Sequence, residues 1–439
     1  MASNVSFVLE GDGAMTDRDP ASDRTNTSDH SRLAPNIEGP NIDAPRVDRE
    51  DVFDAIVIGA GVAGALSAIL AARNGRRVLL VDRQKFPRSK VCGCCLNGRA
   101  QEVLKAAGLE DGLSRLNPIK TSGMRVHQSR KSLSVAMPGG LAVSRFAFDQ
   151  WLMTEADAAG ATFLEDTTAT VVPLADGESA QRVTNVRSVE LESSGQRWTV
   201  LGRIVLVCDG LSHPSLVRLK GFESVARKGA RIGLGAMFPR GAADAWIPAD
   251  EIQMVVGADG YAGVVEVEGG QLNLAAAVRP SALQARRTPL QALTALFESN
   301  GLPVPSQLPH AVIRGTVPLT RKSRRISEER LFVLGDATGY VEPFTGEGMA
   351  WAMTAAMIAS PLAEECLRNG WASTLEDRFL QTFEQVIIRE QGICRLMSTV
   401  VGNPLLLKMT MSTFRLMPWA ARRLVARVNR LPSSLKRRE

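Results

Sequence analysis

Residues 54–64 read Asp-Ala-Ile-Val-Ile-Gly-Ala-Gly-Val-Ala-Gly, a short apolar strand that continues directly into a glycine-rich turn. Gly59 permits the tight turn from strand to helix, Gly61 lets bare backbone approach a pyrophosphate, and Gly64 lets the helix pack closely on the strand. The start of the helix then directs free amides and the positive end of its dipole at the phosphates. This stretch therefore predicts a βαβ unit that binds a dinucleotide.

A second apolar strand, residues 78–82, ends on Asp82 about 20 residues after the glycines, where an acidic side chain accepts hydrogen bonds from a ribose hydroxyl. Asn74-Gly75 is typical of the end of the intervening helix. Because strand, turn, helix, stop, strand and acid occur in order, we interpret the stretch as a dinucleotide fingerprint rather than an ordinary glycine turn. Residues 233–236 lack the third glycine of a second fingerprint, so one bound dinucleotide is predicted.

The chain has 439 residues, of which 45% are hydrophobic and 22% are charged, as in an ordinary folded protein of two or three domains. Residues 1–50 are rich in Asp, Ser, Thr, Asn and Pro, and we expect a disordered leader there. The sequence shows neither a secretion signal nor an apolar run of about 18 residues. Six cysteines in a chain of this length do not indicate a disulfide framework. A cytoplasmic protein is therefore predicted.

The net charge of +6 is concentrated at the C-terminus, where Val401 to Glu439 contains nine basic residues and one acidic residue. Apolar and cationic side chains recur there at helical spacings, without the interleaved aromatic residues of a nucleic-acid-binding surface. This pattern favours a helix that lies on an anionic lipid surface. The alternative is a helix packed on the body of the protein with a solvated basic face. We expect peripheral membrane contact and no nucleic acid as a partner.

The order of the predicted elements indicates two interleaved domains. Continuous apolar strands that end at Asp209-Gly210 and at Gly335-Asp336 are typical of a buried parallel sheet. Short alternating segments separated by glycines predict a mostly antiparallel sheet between them, and residues 124–136 predict a hairpin. The predicted divisions are a first domain of residues 51–122, 143–222 and 326–364, a substrate domain of residues 123–142 and 223–325, and a helical, basic region of residues 365–439.

Three separated motifs recur together: the fingerprint at 59–64, Cys208-Asp209-Gly210, and Gly335-Asp336 continuing to residues 343–348. Together they resemble the aromatic-hydroxylase superfamily of FAD enzymes, the group A flavoprotein monooxygenases. The resemblance implies FAD as cofactor and an α/β fold, in which a glutathione-reductase-like FAD-binding domain carries an inserted antiparallel substrate sheet and a helical C-terminal region follows.

In that superfamily the strand-end Gly-Asp contacts the ribityl chain of the flavin, which corresponds to Asp336. The helix after the third motif points its N-terminus at the isoalloxazine ring, so Gly348 and Met349 correspond to the amides near the ring. A helix start at this place stabilises the anionic reduced flavin.

Residues 87–96 are similar to the Pro-x-x-Lys-x-Cys-Gly-x-x-Leu segment of geranylgeranyl reductases, FAD-dependent reductases of long isoprenoid chains. In those enzymes the Cys-Gly pair lies beside the flavin, which implies that role for Cys92 and Gly93, with Cys92 as the candidate catalytic residue. Arg145 matches the family's Arg-x-x-Phe-Asp segment, whose arginine contacts the cofactor. The resemblance also implies that hydride passes from the reduced flavin to one alkene carbon while a nearby acid protonates the other.

The fingerprint and the resemblance together predict the residues that bind the cofactor: Gly59, Gly61, Ala63, Gly64, Asp82, Cys92, Gly93, Cys95, Arg145, Ala169, Asp209, Gly210, Gly335, Asp336, Gly346, Gly348 and Met349. No metal site is predicted, because the four histidines are scattered along the chain. Cys95 replaces a small residue of the family and gives three thiols within residues 92–95. Lys90 or a helix start is expected to lower the pKa of a thiol there, and the alternative interpretation is small packed side chains.

The substrate is left open among polyprenyl, lipid and other hydrophobic molecules. Of the Tyr-x-Trp-x-Phe-Pro segment that lines the lipid tunnel in geranylgeranyl reductases, only Tyr261 is present here. We expect reduction of C=C bonds, with NAD(P)H or a ferredoxin-like protein as electron donor. A flavin monooxygenase that hydroxylates or epoxidises is the first alternative, since the cofactor motifs do not separate the two. A flavin halogenase is disfavoured by the missing Trp-x-Trp-x-Ile-Pro segment; a redox scaffold without turnover and a flavin-free nicotinamide dehydrogenase are further alternatives.

Overall fold

The protein is described here by a computed structural model, which covers residues 7–10, 47, 51–174, 185–342, 344 and 346–428. Strands are numbered β1–β20 and α-helices α1–α11 in chain order. Most of the predicted leader and the last part of the predicted basic region, residues 429–439, lie outside the described residues.

The first sheet has the parallel centre that the continuous apolar strands predicted. Its strands are β2 (Val52–Ile58), β3 (Val78–Val81), β7 (Thr162–Leu164), β8 (Thr168–Val171), β9 (Arg187–Ser193), β10 (Gln196–Val207), β18 (Ser327–Glu328) and β19 (Leu331–Val333). Strands β19, β10, β2, β3 and β7 run parallel in that order. Ile58 pairs with both Val81 and Val207, and Val207 with Val333. The segments that follow these strands therefore all leave the sheet at one edge, where ligands bind in such folds.

Both faces of this sheet are covered. Ala55 and Val57 pack in the core formed with helices α1 (Val62–Arg73), α4 (Arg145–Ala158) and α7 (Gly348–Asn369). Ile56 and Ile58 point to the other face and pack with buried side chains of β8 and β9. Because neither face meets water, the strands are apolar throughout instead of alternating.

The second sheet has nine strands in the order β1-β16-β12-β15-β14-β13-β5-β6-β4. They are β1 (Phe7–Glu10), β4 (Cys95–Leu96), β5 (Ile119–Gln128), β6 (Lys131–Ala142), β12 (Ile232–Pro239), β13 (Glu251–Gly257), β14 (Gly260–Val267), β15 (Gln271–Val278) and β16 (Ile313–Pro318). Most neighbours are antiparallel, and β13 with β5 and β1 with β16 are the parallel pairs. The predicted hairpin is confirmed as β5 and β6, which turn at Ser129 and Arg130, both with positive φ.

Strand β1 lies within the predicted leader. Phe7–Glu10 pairs in parallel with β16, Phe7 opposite Ile313 and Glu10 opposite Thr316. The physical reason is that β16 has a free edge, whose unpaired amides and carbonyls bind an extended apolar segment. Composition averaged over the whole leader did not reveal so short a strand.

Helices dominate the C-terminal region, as predicted. After α7 come α8 (Ser373–Phe383), a π-helical turn (Glu384–Ile388), α9 (Arg389–Val401), α10 (Pro404–Leu416) and α11 (Pro418–Val428). The remaining elements are α2 (Gly98–Ala106), α3 (Glu110–Ser114), α5 (Pro280–Arg286), α6 (Pro289–Ser299) and a small sheet of β11 (Ser224–Ala226), β17 (Arg321–Ser323) and β20 (Gly339–Tyr340). The α/β class with its second, mainly antiparallel sheet is thus confirmed.

Candidate active site

The glycine turn between β2 and α1 has the close contacts that its sequence predicted. Gly59 has φ +98°, and a Cβ atom there would lie 2.5 Å from the carbonyl oxygen of Cys208. A Cβ on Gly64 would lie 1.8 Å from the carbonyl oxygen of Gly59. A Cβ on Gly61 would meet no backbone within 4 Å. The backbone is therefore tightly enclosed at the first and third glycines and open at the second.

Two guanidinium groups face the open glycine. The nearest atoms to a Cβ on Gly61 would be Nη2 of Arg88 at 3.6 Å and Nη2 of Arg145 at 3.7 Å. Arg145 forms a two-pronged ion pair with the buried Asp149, at 2.6 and 2.7 Å, and Arg88 Nη1 lies 3.3 Å from the same carboxylate. Two cations share one carboxylate beside a helix N-terminus, and this arrangement suits a doubly charged pyrophosphate.

Two further observations agree with a dinucleotide at this turn. Asp82 Oδ2 accepts a hydrogen bond from the amide of Ala60 over 2.8 Å and lies 3.5 Å from Arg88 Nη2, so the acid at the end of β3 is joined to the turn. The buried Nε of Arg88 has no hydrogen-bond partner among the described residues. A buried N–H donor without a partner is costly and is commonly satisfied by a ligand. The residues present therefore fit the expected cofactor.

One cavity joins the glycine turn to the second sheet. On the turn side it is lined by predicted cofactor residues: Gly61, Ala63, Cys92, Gly93, Cys95, Arg145, Gly210, Gly335, Asp336, Gly346, Gly348 and Met349. The N-terminus of α7 therefore opens on the cavity. On the sheet side the wall is mostly apolar and includes Met124, Met137, Ile252, Met254, Val265 and Leu319. Motifs far apart in the chain thus share one cavity, which also offers an apolar surface.

Other predicted cofactor residues lie away from the cavity wall. Gly59, Gly64 and Asp82 form the turn behind it. Asp209 accepts a hydrogen bond from the Ser215 amide over 3.0 Å, and burial raises the pKa of its carboxyl. Its Oδ1 is buried without a partner among the described residues. Ala169 lies in β8, in the hydrophobic core on the face of the first sheet opposite α1. Their contacts with a cofactor stay predictions.

Asp336 forms an ion pair across the cavity. Its Oδ2 lies 3.5 Å from Nζ of Lys90, and both residues line the wall. The preceding Gly335 has φ +62°, a backbone conformation that favours glycine and turns Asp336 out of the end of β19. The carboxylate that the resemblance assigns to the ribityl chain is therefore held at the cavity by the backbone conformation of the turn and by a lysine from the Cys92 segment.

The pKa values of the clustered thiols are shifted in opposite directions. The Cys94 thiol donates a hydrogen bond to Cys92 and, together with the nearby Arg145 guanidinium, lowers the pKa of Cys92 to about 6 although burial opposes this. The Cys94 amide lies 3.5 Å from the Cys92 sulfur. Burial and the charge on Cys92 raise the pKa of Cys95 to about 12. The expected source of a lowered pKa, Lys90 or a helix start, is thus corrected to Cys94 and Arg145.

Sequence reasoning missed a polar cluster in the cavity wall. The Tyr261 hydroxyl donates a hydrogen bond to Glu342 Oε2 over 3.4 Å, and Arg231 Nη1 donates to the same oxygen over 2.8 Å. Tyr261 and Glu342 line the cavity. The sequence drew attention to Tyr261 as the remnant of a lipid-lining segment. Nothing local identified Glu342 or Arg231, because their partners are far away in the chain.

The C-terminal helices contact the end of the cavity that α7 forms. The Cys394 thiol on α9 donates a hydrogen bond to Glu347 Oε2 over 2.6 Å, and Glu347 directly precedes α7. Val401, Leu407 and Met411 pack in one hydrophobic cluster with Met124 and Met137 of the cavity wall. Helices α9 and α10 therefore support the site from outside.

A family model described as an FAD binding domain matches residues 52–384. The chain belongs to this family. The flavoprotein uses FAD as its cofactor and is an FAD-dependent oxidoreductase. Its turn, its paired arginines and the amide end of α7 are the residues that would hold the pyrophosphate and the flavin ring.

Relatives of the flavoprotein include reductases. Menaquinone reductase of Mycobacterium tuberculosis is 28% identical over 352 residues, which cover 76% of this chain and 82% of the relative. Digeranylgeranylglycerophospholipid reductase 2 of Methanothermobacter thermautotrophicus is 26% identical over 340 residues, which cover 76% of this chain and 82% of the relative. The predicted resemblance to geranylgeranyl reductases is confirmed.

Solved structures share the fold. A geranylgeranyl bacteriochlorophyll reductase-like protein from Thermoplasma acidophilum superposes with a TM-score of 0.62 at 19% identity, covering 76% of this chain and 84% of that chain. The myxobacterial chondrochloren halogenase superposes with a TM-score of 0.64 at 21% identity, covering 76% and 78%. The same fold is thus found in reductases and in halogenases. The two activities must therefore differ in the residues that line the cavity.

The described residues show neither a metal cluster nor a helix that could span a bilayer. Residues 51–174, 185–342 and 346–428 contain no group of three or more His, Cys, Asp or Glu side chains that could hold a metal ion. In the same part of the flavoprotein, every helix is too short or too polar to span a bilayer.

Proposed function

We propose that the protein is an FAD-dependent reductase that saturates C=C bonds in a polyprenyl chain or a similar hydrophobic substrate, which it meets at a membrane surface. The observation that carries the proposal is the single cavity in which Cys92, Gly93 and the N-terminus of α7 face the apolar wall of the second sheet. The names of the relatives, which refer to a menaquinone and to a geranylgeranyl lipid, support an isoprenoid substrate.

The apolar wall binds and orients the substrate. Met124, Met137 and Met254 are flexible, polarisable side chains that adapt to an irregular hydrocarbon chain. A chain that lies along them excludes water from the space next to Cys92. Exclusion of water strengthens every charge interaction inside the cavity.

Bound FAD, when reduced, supplies a hydride to one carbon of the double bond. The other carbon of the double bond needs a proton, and the cavity wall contains a side chain that stays protonated at neutral pH. Burial, followed by the neighbouring Glu342 carboxylate, raises the pKa of Tyr261, so the phenol stays protonated at neutral pH. The Tyr261 hydroxyl is the proposed proton donor. The thiolate of Cys92 is proposed to stabilise positive charge that develops on the alkene.

The test is an anaerobic reaction of the FAD-loaded protein with menaquinone and, separately, with digeranylgeranylglycerophospholipid. Electrons are supplied in parallel by dithionite, NADPH, NADH and reduced ferredoxin, because the donor is proposed to be NAD(P)H or a ferredoxin-like protein. After the quinone ring has been reoxidised in air, mass spectrometry is expected to show a gain of two hydrogen atoms for each saturated bond of the isoprenoid chain. Reduced, flavin-loaded protein that adds no hydrogen to any isoprenoid substrate would contradict the proposal.

The same experiment distinguishes the proposed reductase from the alternative, a flavin monooxygenase. A monooxygenase forms no product without oxygen and adds an oxygen atom when oxygen is admitted. Cys92→Ser serves as the internal variant, and we expect it to retain FAD and to lose most of the hydrogenated product.

A further inference from the structure

Helix α10 is apolar on two opposite faces. Its inner face carries Leu407 and Met411, which are buried in the same hydrophobic cluster as Met124 and Met137 of the cavity wall. Its outer face carries Leu405, Met409 and Leu416, whose side chains are 72%, 67% and 84% exposed. The spacings of four and seven residues place these three on one side of the helix. A helix on a soluble domain normally presents polar residues to water instead.

The helices before and after α10 also carry exposed apolar side chains. Trp419 at the start of α11 is 54% exposed and Leu396 of α9 is 65% exposed. Singly exposed apolar side chains are ordinary, but three on one face of a single helix form a patch that marks an interaction site. We call Leu396, Leu405, Met409, Leu416 and Trp419 the outer patch.

Cations accompany the outer patch, and acids are missing from the sequence around it. Residues 404–428 contain Lys408, Arg415, Arg422, Arg423 and Arg427 and no Asp or Glu. Lys408, Arg423 and Arg427 are exposed, and the Arg423 guanidinium lies 5.5 Å from the centre of the Trp419 ring. Leucine, methionine and tryptophan bordered by arginines match the boundary between acyl chains and anionic headgroups. A second copy of the chain would bring equal positive charges together, which disfavours it as the occupant.

We propose that the outer patch docks on an anionic lipid bilayer, with its apolar side chains in the acyl boundary and Lys408, Arg423 and Arg427 on lipid phosphates. The inner face of the same helix packs in one hydrophobic cluster with Met124 and Met137 of the cavity wall. Helix α10 then lies between the bilayer and this cluster. This position extends the proposed function, because a hydrophobic substrate would reach the cavity without crossing water. Only this delivery of substrate rests on the proposed function; the docking itself does not.

The experiment is co-sedimentation of the full-length, FAD-loaded protein with vesicles of saturated phosphatidylcholine, with and without phosphatidylglycerol. These lipids contain no double bond, so the result is independent of the proposed reaction. We expect binding that needs phosphatidylglycerol and weakens at high salt. The triple variant L405Q/M409Q/L416Q and the double variant K408E/R427E are each expected to bind at least tenfold more weakly.

The matched control is V217Q/V225Q/V312Q, which removes three apolar side chains of 80%, 52% and 44% exposure outside the C-terminal helices. It is expected to bind vesicles as the unchanged protein does. Flavin content and melting temperature show that each variant is folded. Vesicle binding by the L405Q/M409Q/L416Q variant equal to that of the control would overturn the proposal, and so would a dimer in solution that this variant converts to a monomer.

Discussion

The hydroxyl of Tyr261 lies 3.4 Å from Oε2 of Glu342, in a cavity wall that is otherwise mostly apolar. Glu342 is also held by Arg231 over 2.8 Å and by the Thr320 hydroxyl over 3.3 Å. These contacts hold the Glu342 carboxylate in place, and the carboxylate in turn fixes the orientation of the Tyr261 hydroxyl. Its one O–H proton is directed at Glu342, so the hydroxyl has to turn out of this hydrogen bond to protonate a substrate in the cavity, the role proposed for it in general acid catalysis.

Replacing Tyr261 with Phe is expected to slow the reoxidation of reduced flavin by substrate by roughly 10²–10⁴-fold, since only the proton donor is lost. Reduction of the flavin by dithionite and the flavin content should not change. Anaerobic stopped-flow absorbance measures both half-reactions. Tyr340→Phe is the control, because it removes the other phenol of the wall. Equal losses in the two variants would show that Tyr261 has no special role.

Gly61→Ala is expected to weaken FAD binding at least tenfold without destabilising the apoprotein. Its Cβ would meet only the ends of two arginine side chains, in the space assigned to the pyrophosphate. The matched variant Gly59→Ala places a Cβ 2.5 Å from a backbone carbonyl at φ +98° and should lower the free energy of unfolding by about 1–3 kcal/mol. Fluorescence titration with FAD and thermal unfolding of both apoproteins separate the two effects. Unaltered FAD affinity in Gly61→Ala would rule out a pyrophosphate at this glycine.

Asp336→Ala is expected to release the cofactor, because the carboxylate at the end of β19 is assigned to the ribityl hydroxyls. The ion pair with Lys90 gives a control: Lys90→Met removes the 3.5 Å contact and keeps the carboxylate. We expect Lys90→Met to retain most of its FAD. Absorbance of the purified variants reports flavin occupancy, and full occupancy in Asp336→Ala would disprove the ribityl assignment.

The reactivity of Cys92 toward iodoacetamide should follow a titration near pH 6, since the Cys94 thiol and Arg145 lower the pKa of Cys92 to about 6. Cys95 should react only at high pH, because its pKa is raised to about 12. Cys94→Ser, whose hydroxyl donates a different hydrogen bond, is expected to shift the Cys92 midpoint upward. Peptide mass spectrometry of the apoprotein measures each site, and a Cys92 midpoint near the ordinary thiol value of 9.0 would contradict the assignment.

The same pKa has a consequence for stability. A thiol whose pKa is lower in the folded protein stabilises the fold at high pH, fully above about 9. That contribution decreases as the pH falls and is lost below about 6. Replacing Cys92 with Ser should therefore reduce the pH dependence of the melting temperature between these values.

The sequence predicted the parts of the site that depend on backbone conformation within a short segment. Gly59, Gly64 and Gly335 are needed because the chain turns or packs closely at those residues, and glycine is the residue type that permits it. The order of strand, turn and helix then places them at one sheet edge. Arg88 stands in the same segment that indicated Cys92, but its approach to Gly61 needs the three-dimensional fold.

Contacts between residues that are far apart in the chain could not be predicted from the sequence. Tyr261 and Glu342 are 81 positions apart, and no spacing rule links a strand of the second sheet to the loop before α7. The parallel pairing of β5 with β13 likewise joins segments that a pattern of short alternating strands would leave antiparallel. Strand β1 was missed because its pairing is decided by the free edge of β16 rather than by its own composition.

Because helix α10 is apolar on both its inner and its outer face, we expect the whole protein to behave as a weak surfactant. In detergent-free buffer we expect it to adsorb to air bubbles and plastic through its outer patch, even though its core is well packed. Mild detergent above its micelle concentration should therefore improve recovery.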